Sequence, residues 1–120
     1  MAVLKKALNP VIRGDTWKIK LTIQEDNAAA DITGYQYWFT MKEDIDKADT
    51  SAAIQEVFTA AGADAAAGIM VLTIPATATE LVSPGYYLYD IQQKNLSGEI
   101  QTLMIGQVLV ESDVTRSTTV

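Results

Sequence analysis

Alternation of apolar and polar residues is the feature of this sequence that most restricts its fold. In the stretch TWKIKLTIQ, Trp17, Ile19 and Leu21 fall on one side of an extended chain, and Lys18 and Lys20 fall on the other. A β-strand points successive side chains to opposite faces, so a period of two predicts a strand with one buried face. Half-buried strands of this kind are typical of antiparallel sheets.

The same alternation recurs along the chain, with turn signals roughly every ten residues. Further predicted strands are YQYWFTMK, AIQEVFT, IMVLTI, YYLYDIQQ and IQTLMIGQVLVE. A total of about seven short strands predicts an all-β fold, an immunoglobulin-like antiparallel β-sandwich formed by one domain over residues 1–120. We expect its core to contain Trp17, Ile19, Leu21, Phe39, Leu72 and Tyr89.

Two of the connections carry local signals of their own. The stretch AAGADAAAG is rich in alanine and glycine, and we interpret it as a long turn, although alanine also tolerates helix. The stretch ATATELVSPG predicts one helical turn, with Thr77 and Glu80 at the spacing of a capping box. The tyrosines that follow it predict a tyrosine corner, in which a hydroxyl bonds back to the loop backbone.

Both ends of the chain differ from the strands between them. Residues 1–12 form a candidate N-terminal arm that carries Val3, Leu4 and Leu8, and residues 113–120 form a polar C-terminal tail. Arms of this kind commonly add a strand to the sheet edge of a neighbour, so we expect a homo-oligomer or a complex with another protein. We see no signal peptide and no apolar run long enough to cross a membrane.

Composition narrows the classes of function. The chain has no histidine and no cysteine, which removes the usual ligands of zinc, copper and iron–sulfur sites and the Ser–His–Asp and Cys–His catalytic groups. We therefore expect no catalytic residues, no metal and no cofactor. The formal net charge of −6 repels phosphate backbones, so we expect no nucleic-acid partner.

Two short motifs have a functional and a structural interpretation. Arg13, Gly14 and Asp15 spell the tripeptide that adhesion proteins show to integrins, but they directly precede a strongly alternating strand. We interpret them as a turn that leads into that strand. The stretch EDIDKAD, residues 43–49, lacks the central glycine and distal glutamate of an EF-hand, so a solvated acidic loop is favoured over a calcium site.

Two aromatic residues fall on strand faces opposite the predicted core. Trp38 and Tyr86 are suited to stacking on a sugar or to packing against another protein, because aromatic rings serve both purposes. Together with the apolar residues of the N-terminal arm they give the candidate interface residues Val3, Leu4, Leu8, Trp38 and Tyr86.

Five segments in order, VIRGDTWKIKLTI, ADITGYQYWFTMK, GIMVLTI, PGYYLYDIQ and GEIQTLMIGQVLVESDVTR, carry a resemblance that spans about Pro10 to Arg116. The chain resembles the small immunoglobulin-like structural domain of tailed-bacteriophage proteins and is similar to the N-terminal domain of upper baseplate proteins. This resemblance implies a protein of the virion, made in the bacterial cytoplasm, whose partners are other virion proteins. No catalytic motif is involved in the resemblance.

Two functions from different classes therefore stand as expectations. The preferred one is a non-enzymatic structural component of a bacteriophage virion, in a tail, baseplate, neck or decoration adaptor, which acts through protein–protein assembly. The alternative is a carbohydrate- or surface-binding β-sandwich module that uses Trp38 and Tyr86 or a calcium ion bound by a loop.

Overall fold

The computed structural model describes residues 4–5, 10–25, 27–43 and 52–113. Within these ranges the chain forms ten strands and two short helices. In chain order they are β1 (Leu4–Lys5), β2 (Val11–Ile12), β3 (Trp17–Thr22), β4 (Gln24–Glu25), β5 (Ala28–Ala29), β6 (Gln36–Lys42), β7 (Ile54–Thr59), α1 (Gly62–Ala66), β8 (Ile69–Ile74), α2 (Ala76–Thr79), β9 (Gly85–Lys94) and β10 (Ile100–Glu111).

The strands form one large sheet and two small ones. The large sheet has six strands in the order β1-β10-β9-β6-β7, with β2 also paired to β10. The strands β3 and β8 form an antiparallel pair, and β4 and β5 form a second one. The prediction of an all-β fold is confirmed.

Strand direction corrects the predicted antiparallel sandwich. Both β1 and β2 run parallel to β10, so the large sheet is mixed. Hydrophobic alternation identifies which residues face a core, but it carries no information on the direction of a neighbouring strand. The predicted number of about seven strands was too low, because β1, β2, β4 and β5 have two residues each and show no period of their own.

The core lies between the large sheet and the β3–β8 pair. Of the six predicted core residues, Phe39 and Leu72 are fully buried, and Trp17, Leu21 and Tyr89 are nearly so. The rings of Phe39 and Tyr89 stack with their centroids 6.0 Å apart. Ile19 is only partly buried, although it lies between two buried neighbours on β3.

The alanine-rich connection contains a helix, so its interpretation as one long turn was wrong. The helix α1 buries Ala65, whose carbonyl accepts a hydrogen bond from the Ile32 amide at 3.0 Å. Alanine has the highest helix propensity, which favours a helical turn in this alanine-rich stretch. Gly68 follows with φ +78°, and a Cβ there would lie 2.5 Å from the Ile23 carbonyl oxygen.

The predicted helical turn before β9 is present as α2, but the capping box is not. The helix begins directly after Pro75, which is its N-cap and makes no side-chain capping bond. Thr77 therefore lies inside the turn, and Glu80 is the C-cap. Neither helix of the described residues is long enough to cross a membrane.

Candidate interaction surfaces

The Arg13-Gly14-Asp15 tripeptide forms the turn that joins β2 to β3. Gly14 has φ +87°, a left-handed conformation that favours glycine, and the Asp15 amide donates to the Ile12 carbonyl at 3.2 Å. The Arg13 side chain turns back onto the protein. Its Nε donates to the Val82 carbonyl at 3.0 Å, and its Nη1 lies 3.2 Å from the Asp113 carboxylate. The prediction of a structural turn is confirmed.

Asp15 contributes to this turn through its backbone. Its carbonyl oxygen accepts a hydrogen bond from the Thr79 hydroxyl at 2.7 Å. Among the described residues, the exposed Asp15 carboxylate has no hydrogen-bond partner. The tripeptide is therefore tied to the α2 region by Arg13 and by Thr79.

A tyrosine corner follows α2, as the sequence predicts. The Tyr87 hydroxyl donates to the Ser83 carbonyl at 2.6 Å, which fixes the loop that leads into β9. Burial raises the pKa of Tyr87 above its ordinary value, and the negative charge of Glu43 adds to the effect. The phenol therefore stays protonated and remains a donor through the neutral range.

A buried polar pair lies in the core between β6 and β9. The Tyr37 hydroxyl donates to Gln93 Oε1 at 2.7 Å, and both side chains are buried. Burial raises the pKa of Tyr37 well above its usual range, and Tyr35 adds to the shift. No buried side-chain nitrogen or oxygen of the described residues lacks a hydrogen-bond partner. The pair is a structural hydrogen bond that positions two strands of the large sheet.

The large sheet has a second surface that faces away from β3 and β8, and we call it the outer face. It is formed by residues that alternate with the buried ones on β6, β7, β9 and β10. Apolar side chains are prominent on it, since Tyr86 is 71% exposed and Val57 is 51% exposed. Trp38 lies directly opposite Val57, and Leu109 lies directly opposite Tyr86.

Trp38 and Tyr86 share the outer face but lie far apart on it. Trp38 pairs with Gln92, which is six residues from Tyr86 along β9. At a rise of about 3.3 Å per residue, the two aromatic residues are roughly 20 Å apart along the strand. The structure therefore places them at two apolar ends of one surface, and polar residues such as Thr40 and Asp90 pair between these ends.

Several predicted features fall at the limits of the described residues. Leu4 lies in β1, opposite Met104, whereas Val3 and Leu8 lie outside the described residues. Of the acidic stretch 43–49, only Glu43 is described. Of the C-terminal tail, Asp113 is described and forms the ion pair with Arg13. Within the described ranges, no group of three or more acidic, histidine or cysteine side chains is placed to hold a metal ion.

The contacts that sequence analysis missed are long-range ones. The Arg13–Asp113 ion pair joins residues 100 positions apart, and the Arg13–Val82 hydrogen bond joins residues 69 positions apart. Hydrophobic periodicity reports only on neighbours within one strand or helix, so neither contact leaves a signal in a single sequence.

Comparisons with known proteins give distant structural similarities. No protein-family model matches the chain, and no curated protein sequence matches it. The fold is similar to the N-terminal domain of phage TP901-1 ORF48, with a TM-score of 0.48 and 15% identity over 92% of this chain and 85% of that chain.

Two further solved structures show similarity of the same order. The PmoD soluble domain from Methylocystis sp. ATCC 49242 (Rockwell) has a TM-score of 0.48 and 10% identity over 85% of this chain and 77% of that chain. CopC from Methylosinus trichosporium OB3b has a TM-score of 0.42 and 13% identity over 96% of this chain and 89% of that chain. One of these three distant neighbours is thus a domain of a phage protein.

Proposed function

We propose that this chain is a non-enzymatic structural component of a bacteriophage virion, a tail, baseplate, neck or decoration adaptor, that acts by binding other virion proteins. The observation that carries the assembly role is the exposed apolar side chains at the two ends of the outer face of the large sheet. The sequence resemblance to the small structural domains of tailed phages supplies the virion as the setting. Exposed apolar patches on a sheet commonly mark surfaces that another protein covers.

The composition of the outer face supports binding to a protein. Its two apolar ends contain a tryptophan, a tyrosine, a valine and a leucine, and aromatic residues are enriched in the centres of protein interfaces. Covering apolar surface stabilises a complex by about 25 cal/mol per Å² before the costs of association are subtracted. Tyr86 and Val57 have the highest exposed fractions of these four side chains.

We further propose that the fold is a variant of the immunoglobulin-like sandwich. The Tyr87–Ser83 hydrogen bond supports this assignment, because a tyrosine corner is a recurrent feature of that fold. The core between the large sheet and the β3–β8 pair supports it as well. The parallel pairing of β2 with β10 distinguishes this chain from a purely antiparallel sandwich.

The alternative function, carbohydrate binding, fits this geometry less well. The distance of roughly 20 Å between Trp38 and Tyr86 along the strand is far longer than one sugar ring, so the two side chains cannot stack on the same sugar. A glycan-binding site would therefore have to use one of the aromatic residues alone.

A substitution on the outer face tests the assembly role. The variant Val57→Asp places a charge at one apolar end of the outer face, and Thr73→Asp places the same charge on an exposed residue of β8, outside the large sheet. We expect the unaltered chain and Thr73→Asp to bind a virion protein encoded beside it, and Val57→Asp to lose that binding. Retention of the chain on immobilised glycans, with no binding to those virion proteins, would favour the alternative.

A further inference from the structure

The strand β3 has a sheet edge that the described residues leave without a partner. All six of its residues pair with β8 on one side, in register from Trp17 opposite Ile74 to Thr22 opposite Ile69. These two strands form a two-stranded sheet within the described part of the chain. The outward amides and carbonyls of β3 therefore have the geometry that accepts an added strand.

A groove runs beside this edge, between β3 and the β2 side of the large sheet. Its volume is about 450 Å³, and it is lined by apolar residues that include Val11, Ile19, Phe39 and Val108 and by the polar residues Asp15, Thr16, Lys18 and Lys20. Ile19 is only partly buried, whereas Trp17 and Leu21 on either side of it are each 6% exposed. The centre of the inward face of β3 thus has room for additional apolar side chains.

The other face of β3 carries positive charge. Lys18 and Lys20 are both exposed, and their cross-strand neighbours Thr73 and Val71 are uncharged. Neither lysine forms an ion pair with another described residue. Because the chain as a whole has a net charge of −6, these lysines form a local positive site on an otherwise acidic protein. Such a site attracts carboxylates.

The two edges of the large sheet are less suited to accepting a strand. The edge of β10 is already paired with β1 and β2. The edge strand β7 carries Glu56 opposite Phe39, on the face that is turned toward the core, and an inward charge of this kind discourages added strands.

We propose that this edge of β3, which no other described strand covers, binds an extended segment of a second protein as an added strand. The segment has apolar residues at alternate positions, which enter the groove beside Ile19, and acidic residues between them, which lie next to Lys18 and Lys20. Main-chain hydrogen bonds supply affinity in this mode of binding, and the alternation supplies specificity. The proposal concerns a different sheet from the outer face and goes beyond the assembly role described above.

A synthetic peptide of alternating glutamate and valine, blocked at both ends, is the probe for this edge. We expect it to bind the full chain and to slow amide hydrogen exchange at alternate residues of β3. Two control peptides separate the contribution of the alternating pattern from that of the main-chain hydrogen bonds. The first has the same composition, with the acidic and apolar residues in two blocks. The second has the alternating sequence and is N-methylated at alternate residues. We expect both to bind at least about tenfold more weakly, because the first loses the pattern and the second loses main-chain donors.

Charge reversal at the lysines completes the test. The double variant Lys18→Glu and Lys20→Glu should bind the probe at least about threefold more weakly, since each exposed ion pair adds a small but measurable amount to affinity. Lys94→Glu, which changes a lysine of β9 in the other sheet, should bind it normally. Val57→Asp should also bind it normally, which separates this edge from the outer face.

The proposal is overturned by any of three results. One is equal binding of the alternating and block peptides. Another is protection at Ile54–Thr59 of β7 in place of β3. The third is absence of binding at millimolar probe in a chain whose amide exchange shows an intact fold.

Discussion

Gly14 shows how much of the Arg13-Gly14-Asp15 turn depends on backbone conformation. Its φ of +87° is accessible to glycine and strained for other residues, and a Cβ would meet Asp113 Oδ2 at an ordinary 3.4 Å. We therefore expect Gly14→Ala to lower the free energy of unfolding by about 1–2 kcal/mol through backbone strain alone. Asp15→Ala should change it by less than about 0.5 kcal/mol, as exposed substitutions commonly do. Urea denaturation measures both, and a larger loss for Asp15→Ala would contradict this account.

The buried Tyr37–Gln93 pair makes a second residue-scale prediction. Tyr37→Phe leaves the Gln93 amide oxygen buried without its donor, so we expect a loss of about 1–3 kcal/mol. Replacing both residues, Tyr37→Phe with Gln93→Met, should recover part of that loss, because no polar group is then left unpaired. A double-mutant cycle in urea measures the coupling between the two side chains. Additive losses would show that the hydrogen bond contributes little.

The same tyrosine, with two others, determines how stability depends on pH. Burial is the main cause of the raised pKa values of Tyr37, Tyr87 and Tyr89 in the folded chain. A group whose pKa is raised by folding stabilises the folded chain at pH values below its pKa in the unfolded chain. This stabilisation is lost as the pH rises. We expect the free energy of unfolding to fall above a pH of about 10, the ordinary pKa of tyrosine. Tyr37→Phe should reduce the steepness of that fall, and an unchanged slope would exclude Tyr37 as its source.

Individual strands could be predicted from the sequence to the extent that they are amphipathic. The alternation of apolar and polar residues in β3, β6 and β9 indicates directly which residues are buried, because each strand has one more exposed face and one buried face. The parallel pairing of β1 and β2 with β10 could not be predicted, since each has two residues and its partner lies about 100 positions away. The helix α1 was missed because alanine and glycine together fit a turn as well as a helix.

The short helix α2 is held by a long-range hydrogen bond and not by a capping box. Thr79 is fully buried, and its hydroxyl has one proton, which it donates to the Asp15 carbonyl at 2.7 Å. Thr79→Val keeps the shape and removes the donor, so we expect a loss of about 1–2 kcal/mol. Thr77→Val is the matched control, because Thr77 is exposed within the same helix. Thermal denaturation compares the two variants. A larger loss of stability for Thr77→Val than for Thr79→Val would show that the Thr77 side chain, and not Thr79, stabilises the helix.

At the scale of the whole molecule, the candidate interface was only partly predictable. The alternation of apolar and polar residues correctly predicted that Trp38 and Tyr86 lie on the face opposite the core. It carried no information on the distance between them, and the structure places them at distant ends of that face. The edge of β3 that has no partner among the described residues left no signal in the sequence, because pairing of an edge depends on where other strands lie in the fold. Strand order in a sheet is a property of the whole fold and is not encoded in any one segment.

The N-terminal segment gives the last prediction, which concerns assembly. We predicted that residues 1–12 add a strand to a neighbouring molecule, and the structure pairs Leu4–Lys5 with Met104 and Ile105 of the same chain. Deleting residues 1–9 removes β1 and exposes part of the β10 edge, and free edges promote pairing between molecules. We therefore expect the shortened chain to self-associate more than the full chain in light scattering at matched concentrations. Adding Ile105→Lys to the shortened chain should reverse this, because lysines on the edges of two identical chains repel each other when those edges pair. If the full chain instead forms the larger species and the deletion yields a monomer, the segment joins molecules together, as the sequence alone led us to expect.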